Sequence, residues 1–315
     1  MVIFFAKKSN HRTEAHCLLK CCATVYLFAA ILLACNTAPP VSKPYQPVYV
    51  ADTAIKKTTF LFGIYPASNP QNLHEIYGPL IDYLNKKMPE VTFQMASSPS
   101  YQDFDNRLAG GYFHFAITNP YQALEAVQHG YTIYAKMGDD EKCKGLIIVN
   151  KNGPVKTLAD LKNKAISFPA STAFAATMVP LYYLQTQGLD VNHDIKRLYT
   201  ISHESSIMSV YLGKTIAAAS WSLAWKSFEK QNPEFASKLQ VKWETPSFVN
   251  NACLVRSDVS PHLASKVTTL LLAIQNDAPG KKILDNIFIS TFETANIDTY
   301  KPVADFMQKY KAAIR

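Results

Sequence analysis

From Thr58 to the C-terminus, short apolar runs alternate with stretches whose apolar positions recur every three to four residues. The first pattern fits strands and the second amphipathic helices. Residues 59–65 read as a strand, and 72–88 as a helix with Ile76, Leu80, Tyr83 and Leu84 on one face. Strand patterns follow at 91–95, 113–118, 131–136 and 146–150, with helices at 101–108 and 121–129 closed by Gly110-Gly111 and Gly130. After Asn152-Gly153-Pro154 a second series begins. Thr157 caps a helical turn at 158–161, and a strand at 165–168 runs into a helix opening on Ser171-Thr172 and ending at Gly188. Pro180 lies inside that helix and predicts a kink or a split, because proline removes a backbone donor and crowds the preceding turn. Strands at 196–200, 215–219, 239–243 and 251–255 and helices at 204–212 and 222–230 follow, and the remainder is helical at 261–274, 281–287 and 299–314.

Strands that alternate with helices predict an α/β protein with sheets covered by helices. We expect two lobes with a discontinuous first lobe, 58–150 plus 247–315, and a second lobe at 151–246. A small ligand then belongs in the cleft between them.

The first 57 residues follow neither pattern. Lys7, Lys8, Arg12 and Lys20 precede an uncharged apolar run from Cys22 to Ala34. That run is short of the ~20 residues a membrane span needs. A basic segment, a short apolar core and small residues at its end read as a secretory signal peptide over 1–34. Its end, Leu32-Leu33-Ala34-Cys35, resembles a bacterial lipobox, which makes Cys35 the expected lipidation site. The alternative is an ordinary signal or an anchor helix with Cys35 incidental. Residues 35–57 carry Pro39, Pro40, Pro44 and Pro47 and read as a tether. Together these features place the folded body in the periplasm or cell envelope, anchored to a membrane.

Charge changes the picture little. The net charge is +8, of which the leader supplies three, leaving a scattered +5. No basic block stands beside aromatics, which argues against nucleic acid. Cys143 and Cys253 remain after the leader; in an exported chain they could pair or stand as two buried thiols. No Cys/His spacing fits a zinc site, and neither a metal nor a cofactor is expected.

Two places carry candidate chemistry. Ser171-Thr172 sits between Pro169 and a run of helix formers, where hydroxyls and unpaired N–H groups meet the positive end of a helix. Ser202-His203-Glu204 lies at a second strand-to-helix passage. Each has a plain alternative: a simple N-cap, or a core histidine bonded to backbone.

In order along the chain, Phe62-Gly63-Ile64, Gln71-Asn72-Leu73, the stretch Leu158-Ala159-Asp160-Leu161-Lys162-Asn163-Lys164, Pro169-Ala170-Ser171-Thr172, Val179-Pro180-Leu181-Tyr182-Tyr183, Ser202-His203-Glu204 and Val241-Lys242-Trp243-Glu244-Thr245-Pro246 resemble motifs of one family. It is the phosphonate/phosphite/phosphate-binding component of bacterial ABC importers, with the type II periplasmic binding protein fold. The resemblance implies that Ser171 and Thr172, with the backbone of Ala173, hold an oxyanion, and that His203 donates to another of its oxygens. Tyr101, Thr118 and Tyr121 would approach from the first lobe, and Trp221 and Trp225 would add an aromatic wall. Departures are visible. Where the family loop has a third hydroxyl and a glycine, this chain has Ala173 and Phe174, which places a bulky ring at the pocket edge. Positions where relatives carry carboxylates for a ligand amine fall on Leu223 and Asn251, which disfavours an ammonium-bearing ligand. The implied protein is a monomeric solute-binding lipoprotein serving an ABC permease, without enzymatic activity. A receptor for a membrane sensor, or an enzyme on the same fold, are the alternatives.

Overall fold

The computed structural model describes residues 57–315. The leader, Cys35 and nearly all of the tether lie outside the described residues.

The chain order is β1 (Thr59–Ile64), α1 (Pro70–Lys87), β2 (Thr92–Ala96), α2 (Tyr101–Ala109), β3 (Phe115–Thr118), α3 (Pro120–Gln128) and β4 (Tyr131–Met137), then β5 (Lys144–Asn150) and β6 (Lys164–Phe168). A π-helical turn (Phe174–Met178) runs into α4 (Val179–Thr186), followed by β7 (Ile195–Tyr199), α5 (His203–Tyr211), β8 (Ala217–Trp221) and α6 (Ser222–Gln231). The short α7 (Pro233–Ala236), β9 (Leu239–Ser247), β10 (Ala252–Arg256), α8 (Pro261–Ala273), α9 (Ala278–Ile287), β11 (Phe292–Thr294) and α10 (Lys301–Ala313) complete it.

Two sheets form, with strand orders β11-β4-β10-β3-β1-β2 and β7-β6-β8-β5-β9. In the first, β1 pairs in parallel with β2 and β3, while β10 runs antiparallel to β3 and β4. In the second, β6 pairs in parallel with β7 and β8, and β5 runs antiparallel to β8 and β9. The mixed α/β, two-sheet architecture is the one the strand and helix pattern predicts.

One boundary differs. The passage between sheets lies between Met137 and Lys144, not near Lys151, because β5 hydrogen-bonds into the second sheet. The run 144–150 is apolar on both faces, so its pattern says it is central and buried but not which sheet it joins. The chain returns between Ser247 and Ala252. The C-terminal helix also reaches further than expected. Its Phe306 packs 5.3 Å from both Phe174 and Tyr182, and Ile314 joins the core of the second sheet. Cys143 and Cys253 are both buried and free; burial pushes the Cys143 thiol up to about 12, so it is inert near neutral pH.

Close packing against the sheets relies on glycine at two points. A Cβ on Gly63 would meet the Phe113 ring at 2.6 Å. One on Gly145, in β5, would meet the Ala175 carbonyl at 2.5 Å and Pro180 at 2.7 Å. Only a bare backbone lets β5 lie against the π-helical turn.

Candidate functional site

In both sheets the parallel strands end toward one region, and each then passes into a helix. This is where open α/β sheets bind ligands. The residues gathered there are therefore helix starts. Tyr101 is the first residue of α2 and His203 the first of α5; Asn119 caps α3, Ala173 precedes the π-helical turn, and Trp221 precedes α6. They line a small pocket together with Tyr65, just after β1, and Asn251, just before β10.

Helix starts leave backbone N–H groups without carbonyl partners, and the aligned peptides give each start a partial positive charge. The first bonds that close the π-helical turn run from the Thr177 and Met178 N–H groups to the Ala173 carbonyl, at 2.8 Å and 3.3 Å. The N–H groups of Phe174, Ala175 and Ala176 thus have no carbonyl of their own helix to meet. Five helix starts around one small pocket make a site that attracts anions without a Lys or Arg in its lining among the described residues.

The side chains are fixed by one another. The Tyr101 hydroxyl lies 3.0 Å from His203 Nε2, and His203 Nδ1 lies 3.2 Å from Ser220 Oγ. Burial pushes the His203 pKa down to about 3, so the ring is neutral, with one nitrogen donating and the other accepting. Burial raises the phenols of Tyr65 and Tyr101, which stay protonated. Asn251 Nδ2 donates to the Tyr65 hydroxyl at 2.9 Å, and the backbone N–H of Asn251 donates to Asn250 Oδ1 at 2.8 Å. The Tyr65 ring meets Tyr101 and Trp221 edge-on, at 6.5 Å and 6.3 Å. Trp221 is 5% exposed, and its Nε1 has no hydrogen-bond partner among the described residues. A buried N–H left unpaired costs about 1–3 kcal/mol, a debt that an acceptor in the pocket would cancel.

The expected residues divide. Tyr101, Ala173, His203 and Trp221 line the pocket. Thr118 is fully buried one residue before Asn119, and its Oγ1 has no partner among the described residues. Ser171 is exposed. Thr172 Oγ1 donates to Asp105 Oδ2 at 2.9 Å instead of facing the pocket. Both hydroxyls precede the helix in a turn closed by the bond from the Ala173 N–H to the Ala170 carbonyl. Phe174 does not block the edge: its ring packs against Phe248 and Phe306 at 5.2 Å and 5.3 Å. Tyr121 borders a separate hollow beside Asp105 and Glu125, and Trp225 stacks on Phe228 in the core at 5.8 Å.

Sequence reasoning missed Tyr65 and Asn119, and it noted Asn251 only as a departure. Asn119-Pro120 at a strand-to-helix passage is a cap signal that was present to be read. Asn119 Oδ1 accepts from the Gln122 N–H at 3.0 Å, and its Nδ2 donates to the Thr172 carbonyl at 2.9 Å. Asp105 accepts from Gln122 Nε2 at 2.6 Å as well as from Thr172, and burial raises its pKa against both bonds.

Comparison with known proteins bears on this geometry. The chain is 25% identical over 190 residues to a probable phosphite-binding protein of an ABC transporter from Prochlorococcus marinus; the alignment covers 56% of this chain and 64% of that relative. It is 23% identical over 245 residues to the phosphonates-binding periplasmic protein of Escherichia coli, covering 75% of this chain and 72% of that one. The fold matches the crystal structure of the Prochlorococcus marinus protein PhnD1 in complex with methylphosphonate at a TM-score of 0.73 and 20% identity, over 81% of this chain and 98% of the other. The family model for the periplasmic substrate-binding protein of phosphonate ABC transporters matches residues 62–300, and the chain belongs to that family.

Proposed function

We propose that this chain captures a small phosphorus oxyanion (phosphite, phosphate or a phosphonate) in the pocket between its sheets and delivers it to an ABC permease. The observation that carries this reading is the convergence of five helix starts on one neutral, buried pocket beside an unpartnered Trp221 N–H. A tetrahedral anion needs several fixed donors, and hydrogen bonds to an ionised acceptor are about twice as strong as neutral ones. Backbone amides, the Trp221 N–H and the Asn119 amide provide donors whose positions are set before binding. The family and the phosphite- and phosphonate-binding names of the two relatives point to the same ligand class.

The protein binds without transforming its ligand. Ser220 lies within hydrogen-bond reach of His203 but is fully buried, and the other ring nitrogen meets a phenol, not the carboxylate that would orient a catalytic base. Cleavage before Cys35 and lipidation of its thiol would hold the protein at the membrane facing the periplasm, with the proline-rich tether as spacer and the folded body acting as a monomer.

The test is calorimetry and thermal unfolding with phosphite, phosphate and methylphosphonate, with sulfate as comparison. Ligand at 100 times its Kd should add about 2.7 kcal/mol of stability. Trp221→Phe removes one donor and keeps an aromatic ring; affinity should fall about ten- to hundredfold, the value of a charge-assisted hydrogen bond. If no phosphorus oxyanion stabilises the wild-type chain, the reading fails.

A further inference from the structure

The polar pocket continues into a second, larger cavity that opens to solvent, and Tyr65, His203 and Trp221 line both. Beyond these three residues the character of the wall changes. Ile76 and Tyr77 from α1, Leu223 and Ala224 from α6, and Ile287 and Phe288 at the end of α9 make it largely apolar. Among the described residues no Lys or Arg lines it. The one carboxylate, Glu204, already accepts from Asn69 Nδ2 at 3.3 Å in an exposed contact. Asn72 and Gln231, also exposed, exchange side-chain amide bonds of 2.6 Å and 2.7 Å from α1 to α6, so the polar groups form a rim.

We propose that this cavity receives a neutral apolar substituent of the bound oxyanion, so that the chain's ligands are phosphonates carrying an alkyl or aryl group larger than methyl. The inference rests on the reading of the adjoining pocket as an oxyanion site. The second cavity lies beyond the shared Tyr65, His203 and Trp221 walls and opens to solvent, so a substituent longer than methyl has somewhere to extend. A second anionic group would enter an apolar wall without a cation and approach Glu204. An ammonium group would leave water for a site whose only carboxylate is engaged at the rim. An alkyl chain or phenyl ring meets none of these costs and gains contact with the edges of Tyr65, Tyr77 and Trp221.

Calorimetric titration of the full chain with methyl-, ethyl-, butyl-, hexyl-, phenyl- and 2-aminoethylphosphonate tests this. Affinity should rise about fourfold per methylene, equivalent to about 0.8 kcal/mol, until the cavity is filled. Phenylphosphonate should bind more tightly than methylphosphonate, and 2-aminoethylphosphonate more weakly than its ethyl counterpart. Ala224→Phe, which fills the cavity without touching the polar pocket, should erase the preference for long substituents and leave methylphosphonate affinity unchanged. Methylphosphonate binding with flat or falling affinity along the series overturns the apolar subsite while leaving the oxyanion site standing. So does a preference for long substituents that survives Ala224→Phe. Failure of every phosphonate to bind removes the oxyanion reading, and this proposal with it.

Discussion

Burial without a counter-charge holds the His203 ring neutral: its pKa is pushed down to about 3, and desolvation is the cause. In the unfolded chain the same group titrates near 6.5. Between those values the unfolded state carries a proton that the native state lacks, so stability is intact above about pH 6.5 and declines as pH falls below it. At pH 5 the loss from this one residue should be about 2 kcal/mol. His114, lowered mainly by burial, adds an effect of the same sign, so the comparison needs a variant. Denaturant unfolding at pH 7.5 and pH 5 should show a smaller acid loss for His203→Gln than for the wild type. A bound oxyanion would place negative charge beside the ring and raise its pKa, so saturating ligand should flatten the wild-type profile too. Equal acid losses in wild type and variant would mean that the ring is solvated and charged, contrary to its position between Tyr101 and Ser220.

The π-helical turn and the strand beneath it are the elements on which the pocket depends. Gly145→Ala in β5 would bring a Cβ within 2.5 Å of the Ala175 carbonyl and 2.7 Å of the Pro180 ring, and neither backbone nor a closed ring can move aside as a flexible side chain would. The expected cost is about 1–3 kcal/mol of stability, as for other overpacked sites. Because the displaced turn also carries the Phe174–Ala176 amides, oxyanion affinity should fall along with the unfolding midpoint. Unchanged affinity would mean that the turn does not hold the ligand. This is also where sequence was least legible. Regular elements announce themselves through a period of two or 3.6, and nearly every strand and helix was readable on that ground. A turn closed by i→i+5 bonds has no period of its own. The hydroxyls of Ser171 and Thr172 marked the right passage of the chain, but the free amides that open the turn one step on are reported by no side chain. The short α7 and β11 escaped for a related reason: four and three residues are too few to show a period.

At the scale of the whole molecule, pairings between distant segments decide what local pattern cannot. β5 reads as buried, but only its ladder with β8 and β9 assigns it to the second sheet. The same is true of the contacts that hold the two sheets' helices across the pocket. Thr172, which follows β6, bonds Asp105 of α2 through its hydroxyl, and its carbonyl accepts from Asn119. The Asn72–Gln231 pair makes a second bridge. If lobe closure traps the ligand, these bridges govern how long it stays. Asp105→Ala removes the acceptor of the bridging bond from Thr172, and with it the acceptor of a local bond from Gln122 of α3. A hydrogen bond to a charged group contributes about 1.5–3 kcal/mol, reduced here by the cost of burying the carboxylate. Oxyanion affinity should therefore weaken about tenfold, mainly through faster dissociation with little change in the association rate. Thr172→Val gives the decisive comparison. If its hydroxyl acts only through Asp105, adding Thr172→Val to Asp105→Ala should cost nothing further, since the bond between them is already gone. If the hydroxyl instead reaches the oxyanion, Thr172→Val should cost more than Asp105→Ala and the two losses should add. Stopped-flow dissociation rates for the four proteins of this cycle separate a bridge between the lobes from a ligand contact at the residue where sequence and structure differ most.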